Sequence, residues 1–209
     1  KIPNAQLYNA KTSIYDIAAT TFKPLMLHEH FRCVPEIIGF SNMLSYDYQI
    51  KPLREASSSN LLPAVVNYRV DAGQRDGKNK SNLPEAKAIV ALMRACMEQP
   101  EYVGKTFGVI SLLGDEQYQL IQKEMDDSIS PKEIMHRNIL CGNSANFQGD
   151  ERDVIFLSLV DSKDIDNPGP LHLQNYGVDD STRKRYNVAV SRARDQLWVV
   201  HSLDVANDL

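Results

Sequence analysis

Arginine, amide and carboxylate side chains that could bind a charged ligand are concentrated in the last third of the chain. The segment at 147–153 reads Phe-Gln-Gly-Asp-Glu-Arg-Asp and stands directly before an apolar run at 154–160. The segment at 185–194 reads Arg-Tyr-Asn-Val-Ala-Val-Ser-Arg-Ala-Arg and precedes a second run at 197–200. Guanidinium groups suit phosphate oxygens because their planar fork donates two hydrogen bonds at once. Since α/β proteins build ligand sites at the edges of buried strands, these two segments predict such a site.

The elements that must position these side chains are short apolar runs separated by helical patterns. Continuous apolar runs indicate strands covered on both faces, and therefore a mainly parallel sheet. Strands are predicted at 64–70, 107–113, 139–141, 154–160 and 197–200. Helices are predicted at 13–19, 35–46, from Asn82 to before Pro100, at 115–126 and at 181–194. We therefore predict one three-layer α/β domain.

The predicted domain occupies residues 27–209. Residues 1–26 show only a short helical pattern and begin without methionine, so we expect a linker or the edge of a preceding domain. Around 57–81, polar loops containing Gly73 and Gly77 flank the predicted strand at 64–70, which indicates a surface insertion.

Composition is that of an ordinary globular protein. The 209 residues are 43% hydrophobic and 24% charged, with a formal net charge of −4, which argues against a generally basic coat protein but leaves room for a local basic groove. No run is long enough to span a membrane and no signal peptide is recognisable, so a cytoplasmic location is expected. Cys33, Cys96 and Cys141 are widely spaced, which favours free thiols over a disulfide framework or a zinc site.

Four motifs, in order, resemble those of the second RecA-like domain of superfamily 1 helicases. The resemblance is closest to the 1B branch, which includes the nonsense-mediated-decay helicase. The motifs are Leu-His-Glu-His-Phe-Arg-Cys-Val-Pro at 27–35, Gly-Val-Ile-Ser at 108–111, Phe-Gln-Gly-Asp-Glu-Arg-Asp-Val-Ile at 147–155 and the segment at 185–194. Together they cover nearly the whole chain, and the resemblance implies a RecA-like fold that lacks its own phosphate loop.

The resemblance implies that Arg32 and Arg192 are catalytic residues that reach the γ-phosphate of ATP, with Arg192 as the arginine finger. The chain contains no G-x-x-x-x-G-K-[ST] motif and no Walker-B-like Asp-Glu after an apolar strand. ATP and Mg²⁺ would therefore be bound mainly by an N-terminal RecA-like domain of the same protein. The fragment alone is then expected to be inactive. The structural alternative for each arginine is a surface salt bridge.

Three further residues are implied to bind nucleotide. Glu151 would accept hydrogen bonds from the ribose hydroxyls, and Gly149 would let the backbone approach the ligand closely. Gln148 can donate and accept at once, which suits a residue that reports the γ-phosphate state to the nucleic-acid side. Its structural alternative is a buried amide that ties a loop to a strand. Asp153 and Arg194 are expected to have structural roles within the domain.

The resemblance also implies a surface for single-stranded DNA or RNA. Ser111 and the following loop, with Asn143 and Ser144, would give hydroxyl and backbone contacts to phosphates. The family usually has threonine where Asn143 stands, and proline with an aromatic residue where Leu112 and Leu113 stand. These departures concern the nucleic-acid surface and leave the nucleotide side unchanged.

The sequence leaves several other hypotheses to weigh. The carboxylates Asp150, Glu151 and Asp153 could belong to a metal nuclease, but no following lysine completes such a site. His28 and His30 flank Glu29, yet a hydrogen-bonding role for His30 is favoured over a metal site. For the whole chain, the favoured function is the second motor domain of an ATP-dependent helicase or translocase. The alternative is an adaptor with a helicase-like fold that binds nucleic acid or protein without hydrolysis.

Overall fold

A parallel β-sheet of five strands forms the centre of the molecule. The computed structural model describes residues 4–9, 12–76, 80–162, 171 and 180–204. The strands are β1 (Glu29–His30), β2 (Lys51–Pro52), β3 (Val65–Arg69), β4 (Phe107–Ser111), β5 (Leu140–Asn143), β6 (Arg152–Ser158) and β7 (Ala193–His201). The helices are α1 (Ile14–Ala19), α2 (Pro35–Ser45), α3 (Leu83–Met97), α4 (Asp115–Ser128), α5 (Pro131–His136) and α6 (Asp180–Val190), with 3₁₀ turns at Ala5–Leu7, Ala56–Ser58 and Pro100–Tyr102. The sheet order is β3-β7-β6-β4-β5, and every neighbouring pair is parallel.

Helices cover both faces of this sheet, which explains why its central strands are continuously apolar. All five residues of β4 are buried, and so are six of the seven in β6. One face packs against α2 and α6, and the other against α3 and α4. The predicted three-layer α/β fold with a mainly parallel sheet is therefore confirmed. No helix in the described part of the chain is both long and apolar enough to cross a membrane.

Two predicted helix starts are confirmed by local chemistry. The buried side chain of Asn82 accepts a hydrogen bond from the Glu85 amide, so Asn82 caps α3 as its residue type favours. Pro35 occupies the first turn of α2, where a missing N–H costs no helical hydrogen bond. This start places α2 directly after Arg32.

The last helix is shorter than predicted. We expected it to reach Arg194, but α6 ends at Val190 and β7 begins at Ala193. The sheet competes for these residues, because Ala193 pairs with Arg152 and the Arg152 amide donates to the Arg192 carbonyl at 3.0 Å. Arg192 therefore lies in a turn and Arg194 in a strand, so their positions do not follow from helical spacing.

Some elements were not predicted from the sequence. The pair β1 and β2 forms a separate small parallel sheet, and α5 precedes β5. Strand β3 lies inside the expected insertion at 57–81, where it forms the edge of the main sheet against β7. Gly77 of that stretch, and residues 1–3 and 10–11 of the expected linker, lie outside the described residues. The domain boundaries themselves stay a prediction.

The connection from β5 to β6 crosses the sheet without a helix. It runs through residues 144–151 from the carboxyl end of β5 to the amino end of β6, on the far side of β4. Phe147, fully buried, holds this segment against the sheet. A Cβ on Gly108 of β4 would lie 2.9 Å from the Phe147 ring, so the close approach requires glycine there. This one segment therefore connects the side of the sheet where the strands end with the side where they begin.

Candidate functional site

Arg32, Glu151 and Arg192 come together at the amino ends of β6 and β7. The Nε of Arg32 donates to Oε2 of Glu151 at 2.5 Å, and its Nη1 donates to the Ser191 carbonyl at 3.2 Å. Arg192 donates from Nε to the Val188 carbonyl at 3.2 Å and from Nη1 to the Asp150 carbonyl at 3.3 Å. Side chains from three distant parts of the sequence thus form one cluster, which we call the arginine cleft.

The arginine cleft is open to solvent and has a volume of about 390 Å³. The residues that line it come from β1, the segment after it and the turn before β6: Glu29, His30, Phe31, Arg32 and Glu151. Arg32 and Glu151 have side chains that are 30% and 39% exposed, so a ligand could reach both of them. The cleft is charged and accessible rather than apolar and closed.

Two positive charges are held side by side in this cleft. Burial, and then the neighbouring charge of Arg32, lowers the pKa of the Arg192 guanidinium from its ordinary value. Arginine nevertheless stays protonated in proteins because its ordinary pKa is so high. Like charges at close range repel, and an anion placed between them would relieve that repulsion. The two guanidinium groups could therefore contact an anionic ligand, next to the carboxylates of Glu29 and Glu151 that also line the cleft.

Glu151, expected to bind ribose, is engaged by arginines of its own domain. Besides Arg32, Nε of Arg194 lies 3.6 Å from its Oε1. Arg194 also lies 3.8 Å from Asp153, so it pairs with carboxylates of this domain as expected. Asp153 in turn accepts from the amide and hydroxyl of Thr106, each at 2.9 Å, which agrees with its expected structural role.

Gly149 and Gln148 are exposed at the turn before β6. Gly149 has φ of +89°, a backbone conformation that disfavours any residue with a Cβ, and nothing within 4 Å would contact a Cβ placed there. The backbone at Gly149 is therefore open to a ligand. Gln148 is exposed and its side chain makes no hydrogen bond within the described residues, which is the opposite of the buried amide considered as its structural alternative.

His30 and Cys33, which flank Arg32 in the sequence, have structural explanations. His30 accepts the Cys33 amide through Nε2 at 3.0 Å, and burial, followed by the Arg32 charge, lowers its pKa. This is the hydrogen-bonding role expected of His30. Burial raises the pKa of the Cys33 thiol to about 12, so it is not a nucleophile at neutral pH. No cluster of three or more His, Cys, Asp or Glu suited to a metal ion occurs among the described residues.

The expected nucleic-acid residues lie together at the carboxyl ends of the strands, on the side of the sheet opposite the arginine cleft. They surround a cleft of about 300 Å³ at the carboxyl ends of β4 and β5, which we call the amide cleft. Its lining residues come from the last residues of β4 and β5, the loops after them, the start of α4 and α6: Ser111, Leu112, Gly114, Asp115, Asn143, Ser144, Ala145 and Arg185. The structure thus brings Ser111, Asn143 and Ser144 into one place.

Most polar side chains of the amide cleft are already hydrogen-bonded within the domain. Ser111 is buried and donates to the Leu113 carbonyl at 2.7 Å. Asn143 accepts the amides of Ala145 and Asn146 at 2.9 and 3.1 Å, and donates to Asp115 at 2.9 Å. The Ser144 hydroxyl donates to the Arg185 carbonyl at 3.5 Å. These side chains therefore shape the loops around the cleft.

Two arginines were not assigned a role from the sequence. Arg185 is exposed in the wall of the amide cleft, next to Arg183 and Lys184. The basic run at 183–185 was the signal for it, but only the fold shows that α6 brings it to the loops after β4 and β5. Arg54 donates to the carbonyls of Arg32 and Arg194, and no motif in the sequence marks it.

A family model described as an AAA domain (AAA_12) matches residues 10–204, which is nearly the whole chain. Among curated proteins, an uncharacterized ATP-dependent helicase of Mycoplasma pneumoniae is 27% identical over 183 residues, and a relative in Mycoplasma genitalium is equally similar. The mouse 5'-3' DNA helicase ZGRF1 is 26% identical over 190 residues. The matched regions are 82%, 82% and 87% of this chain. The expected relationship to helicases is thereby confirmed.

The relatives are much longer than this chain. It spans 15% of the length of each mycoplasma protein and 9% of the mouse protein. Among solved structures, the C-terminal domain of a possible DNA helicase from Lactobacillus plantarum WCFS1 matches 84% of this chain and 90% of its own, with 14% identity and a TM-score of 0.47.

Proposed function

The chain belongs to the AAA domain family, and from that premise we propose that it is the second motor domain of an ATP-dependent helicase or translocase. In this proposal it supplies arginines to a nucleotide that an N-terminal RecA-like domain of the same protein holds. It also contributes part of the surface that binds a single nucleic-acid strand. Residues 27–209 would form the motor domain, and residues 1–26 would lead in from the preceding domain.

The observation that carries the proposal is the composition of the arginine cleft. Arg32 precedes α2, Glu151 precedes β6 and Arg192 precedes β7, yet all three meet at one edge of the sheet. The turn at Gly149, open to solvent, lies beside them. Guanidinium groups, a carboxylate and an unobstructed backbone are the groups needed to contact phosphates and a ribose.

Arg192 and Arg32 would act on the γ-phosphate of ATP. ATP supplies the phosphoryl group, whose transfer to water is the reaction. Negative charge spreads over the phosphoryl oxygens in the transition state, and a guanidinium aimed at them stabilises that charge. Arg192 would be the arginine finger, because among the described residues its side chain bonds two backbone carbonyls, at 3.2 and 3.3 Å, and keeps donors to spare.

Arg32 and Glu151 would have to exchange partners on binding. Without a ligand their charges neutralise each other at 2.5 Å. A half-exposed ion pair is worth roughly 1 kcal/mol or less, so a phosphate could replace Glu151 as the partner of Arg32 at small cost. The carboxylate of Glu151, still 3.6 Å from Arg194, would then have its Oε2 available to accept a ribose hydroxyl.

The amide cleft would bind the phosphates of a single strand. Arg185 supplies positive charge there, and the loops containing Ser111, Asn143 and Ser144 supply backbone groups. The segment at 144–151 begins in this cleft and ends at Glu151, so a movement at one end would be transmitted to the other. Gln148, exposed in this segment, would respond to the γ-phosphate.

Mg²⁺ and most of the triphosphate would be bound by the N-terminal domain. The chain has no phosphate-loop motif. Its own residues would contact the nucleotide only through the arginines at the γ-phosphate and the carboxylate at the ribose, as described above. Alone, it should therefore hydrolyse ATP negligibly.

The test is steady-state ATP hydrolysis by the whole protein, with single-stranded DNA and RNA compared as activators. We expect Arg192→Ala to lower kcat by roughly 10³-fold or more, as the loss of an arginine finger does in other nucleotide hydrolases. Arg32→Ala should lower it by less, because Arg32 must give up its ion pair with Glu151 before it contacts the phosphate, which offsets part of what it contributes.

Arg94→Ala is the matched control, since Arg94 is exposed on α3, on the face of the sheet opposite α6. It removes the same charge and should leave kcat unchanged. If Arg192→Ala also left kcat unchanged, the assignment of the arginine finger would be wrong. Nucleic-acid binding by the whole protein without any hydrolysis would instead support the adaptor alternative.

A further inference from the structure

Arg54 is the guanidinium with the largest number of hydrogen bonds near the arginine cleft. It follows β2, and its side chain is 16% exposed. Its Nη1 donates to the carbonyls of Arg32 at 2.9 Å and Arg194 at 2.8 Å. Its Nη2 donates to the carboxylate of Asp195, and its Nε donates to the Ser58 hydroxyl at 2.9 Å. All the donor nitrogens of this guanidinium are thus used within the domain.

The two carbonyls that Arg54 binds belong to the backbone segments that carry the arginines of the cleft. Arg32 is on one of them, and Arg192 stands two residues before Arg194 on the other. Only a few other bonds join these segments directly. The Val34 amide donates to the Arg194 carbonyl at 3.0 Å, and the Cys33 thiol makes a weak, long contact of 3.4 Å to the Ser191 carbonyl.

One more link exists, from Arg32 to the Ser191 carbonyl at 3.2 Å, but it uses the side chain that the proposed reaction requires. Once that guanidinium turns to a phosphate, the Val34 amide and Arg54 are the strong donors that still join the two segments. The buried Asp195 carboxylate that accepts from Arg54 also accepts from Lys105 at 2.7 Å, so Asp195 has two cationic partners.

We propose that Arg54 is a positioning residue that sets the spacing between Arg32 and Arg192. This inference rests on the proposed function, in which both arginines contact the γ-phosphate. The planar fork of arginine can bind two carbonyls and a carboxylate in fixed directions, whereas a lysine ammonium at the same place cannot match that geometry. The role therefore requires arginine and not merely a positive charge.

The test uses the whole protein with Arg54→Lys, compared with Lys105→Met. Both changes alter a cationic partner of Asp195, but only Arg54→Lys removes the fork that binds the Arg32 and Arg194 carbonyls, which Lys105 does not contact. We expect Arg54→Lys to lower kcat by roughly 10- to 100-fold, because a displacement of about 1 Å can cost that much. KM for ATP should change by less than about threefold, since the nucleotide would be bound mainly elsewhere. Lys105→Met should keep kcat within about twofold of the wild type.

A double-mutant cycle separates positioning from a general loss of structure. In an Arg192→Ala background, Arg54→Lys should have little further effect on kcat, because the group that it positions is gone. The positioning role would be excluded if Arg54→Lys lowered kcat by the same factor in the Arg192→Ala background as in the wild type. It would also be excluded if Arg54→Lys and Lys105→Met gave the same kcat. A normal kcat for Arg192→Ala alone would overturn the proposed function first, so the two failures are distinguishable.

A second variant keeps the proposal testable if Arg54→Lys does not fold. Asp195→Asn preserves the shape of the side chain but weakens the bond that orients the Arg54 fork. It should lower kcat by more than Lys105→Met does, with KM again nearly unchanged. Equal kcat values for Asp195→Asn and Lys105→Met would contradict the proposal.

Discussion

Two glutamates, one near the carboxyl ends and the other at the amino ends of the same strands, are held in contrasting ways. Glu85, on α3 near the carboxyl ends of β6 and β7, is fully buried and pairs with no cation among the described residues. It accepts from the Ser158 hydroxyl at 2.7 Å, the Val160 amide at 2.9 Å and the Ser202 hydroxyl at 3.0 Å. Glu151, at the amino ends, is 39% exposed, and its partners among the described residues are the arginines Arg32 and Arg194.

This difference separates a structural carboxylate from an exchangeable one. The Ser158 hydroxyl and the Val160 amide are buried donors that would lose this acceptor if it left, so the network is fixed by the cost of unsatisfied groups. Glu151 and Arg32 can each be rehydrated or take another charged partner. A cleft whose ion pair separates easily is suited to a ligand that binds reversibly.

The largest effect should come from removing the buried carboxylate. Glu85→Leu leaves two hydroxyls and an amide without an acceptor, and each buried donor that loses its partner costs about 1 to 3 kcal/mol. We expect the free energy of unfolding to fall by about 4 kcal/mol in chemical denaturation. Glu85→Gln keeps one carbonyl acceptor in place and should cost only about 1 kcal/mol. Equal losses for Leu and Gln would show that the hydrogen bonds do not fix this carboxylate.

The same glutamate should make stability depend on pH. Burial raises the pKa of Glu85 from 4.5 to about 7, although its hydrogen bonds act to lower it. The folded state then binds the proton more tightly than the unfolded state, so this contribution to stability is complete below pH 4.5 and is lost as the pH rises to about 7. At about 1.4 kcal/mol per pKa unit, the change is about 3 kcal/mol.

The measurement is the difference in unfolding free energy between the wild type and Glu85→Gln, at pH 5 and pH 8. Because Gln does not titrate, the advantage of the wild type should shrink by about 2 to 3 kcal/mol as the pH rises. A difference that stays constant, or grows with pH, would rule out a raised pKa in the folded state.

A smaller effect is expected where the connecting segment crosses the sheet. Gly108→Ala would place a Cβ 2.6 Å from Cδ1 of Ile155 and 2.9 Å from the Phe147 ring, both fully buried. Overpacking of this kind costs about 2 kcal/mol. Phe147→Leu in the same background should recover part of the loss of stability by making room, as thermal unfolding would show. A fully stable Gly108→Ala would mean that Phe147 does not fix the segment.

Much of the fold was predictable because its signals are local. Apolar runs marked four strands of the main sheet, while β3 was predicted only as a strand within a surface insertion. Asn82 and Pro35 marked two helix starts. The end of α6 was not predictable. The segment at 185–194 has the sequence pattern of a helix, but its last residues pair with β6 and form the start of β7. The strands β1 and β2 are two residues each and leave no periodic signal.

The site was predictable only as a set of residues. Motif spacing identified Arg32, Glu151 and Arg192, and the fold brings them together. The sequence could not show that Arg32 pairs with Glu151, because their contact joins positions 119 apart. The role of Arg54 could not be predicted for the same reason, since its partners at 194 and 195 come close only when β7 joins the sheet.

The smallest effect should be that of the exchangeable pair itself. A double-mutant cycle of Arg32→Gln and Glu151→Gln should give a coupling of about 0.5 kcal/mol in unfolding free energy, the usual value for an exposed ion pair. It should fade between about 0.05 and 1 M salt, because solvent-exposed charges are screened. The same cycle applied to Glu85 and Ser158 should give a larger coupling that salt does not reduce. A coupling above about 2 kcal/mol between Arg32 and Glu151 would mean that the pair is too strong to open for a ligand, and that the contrast between the two glutamates does not hold.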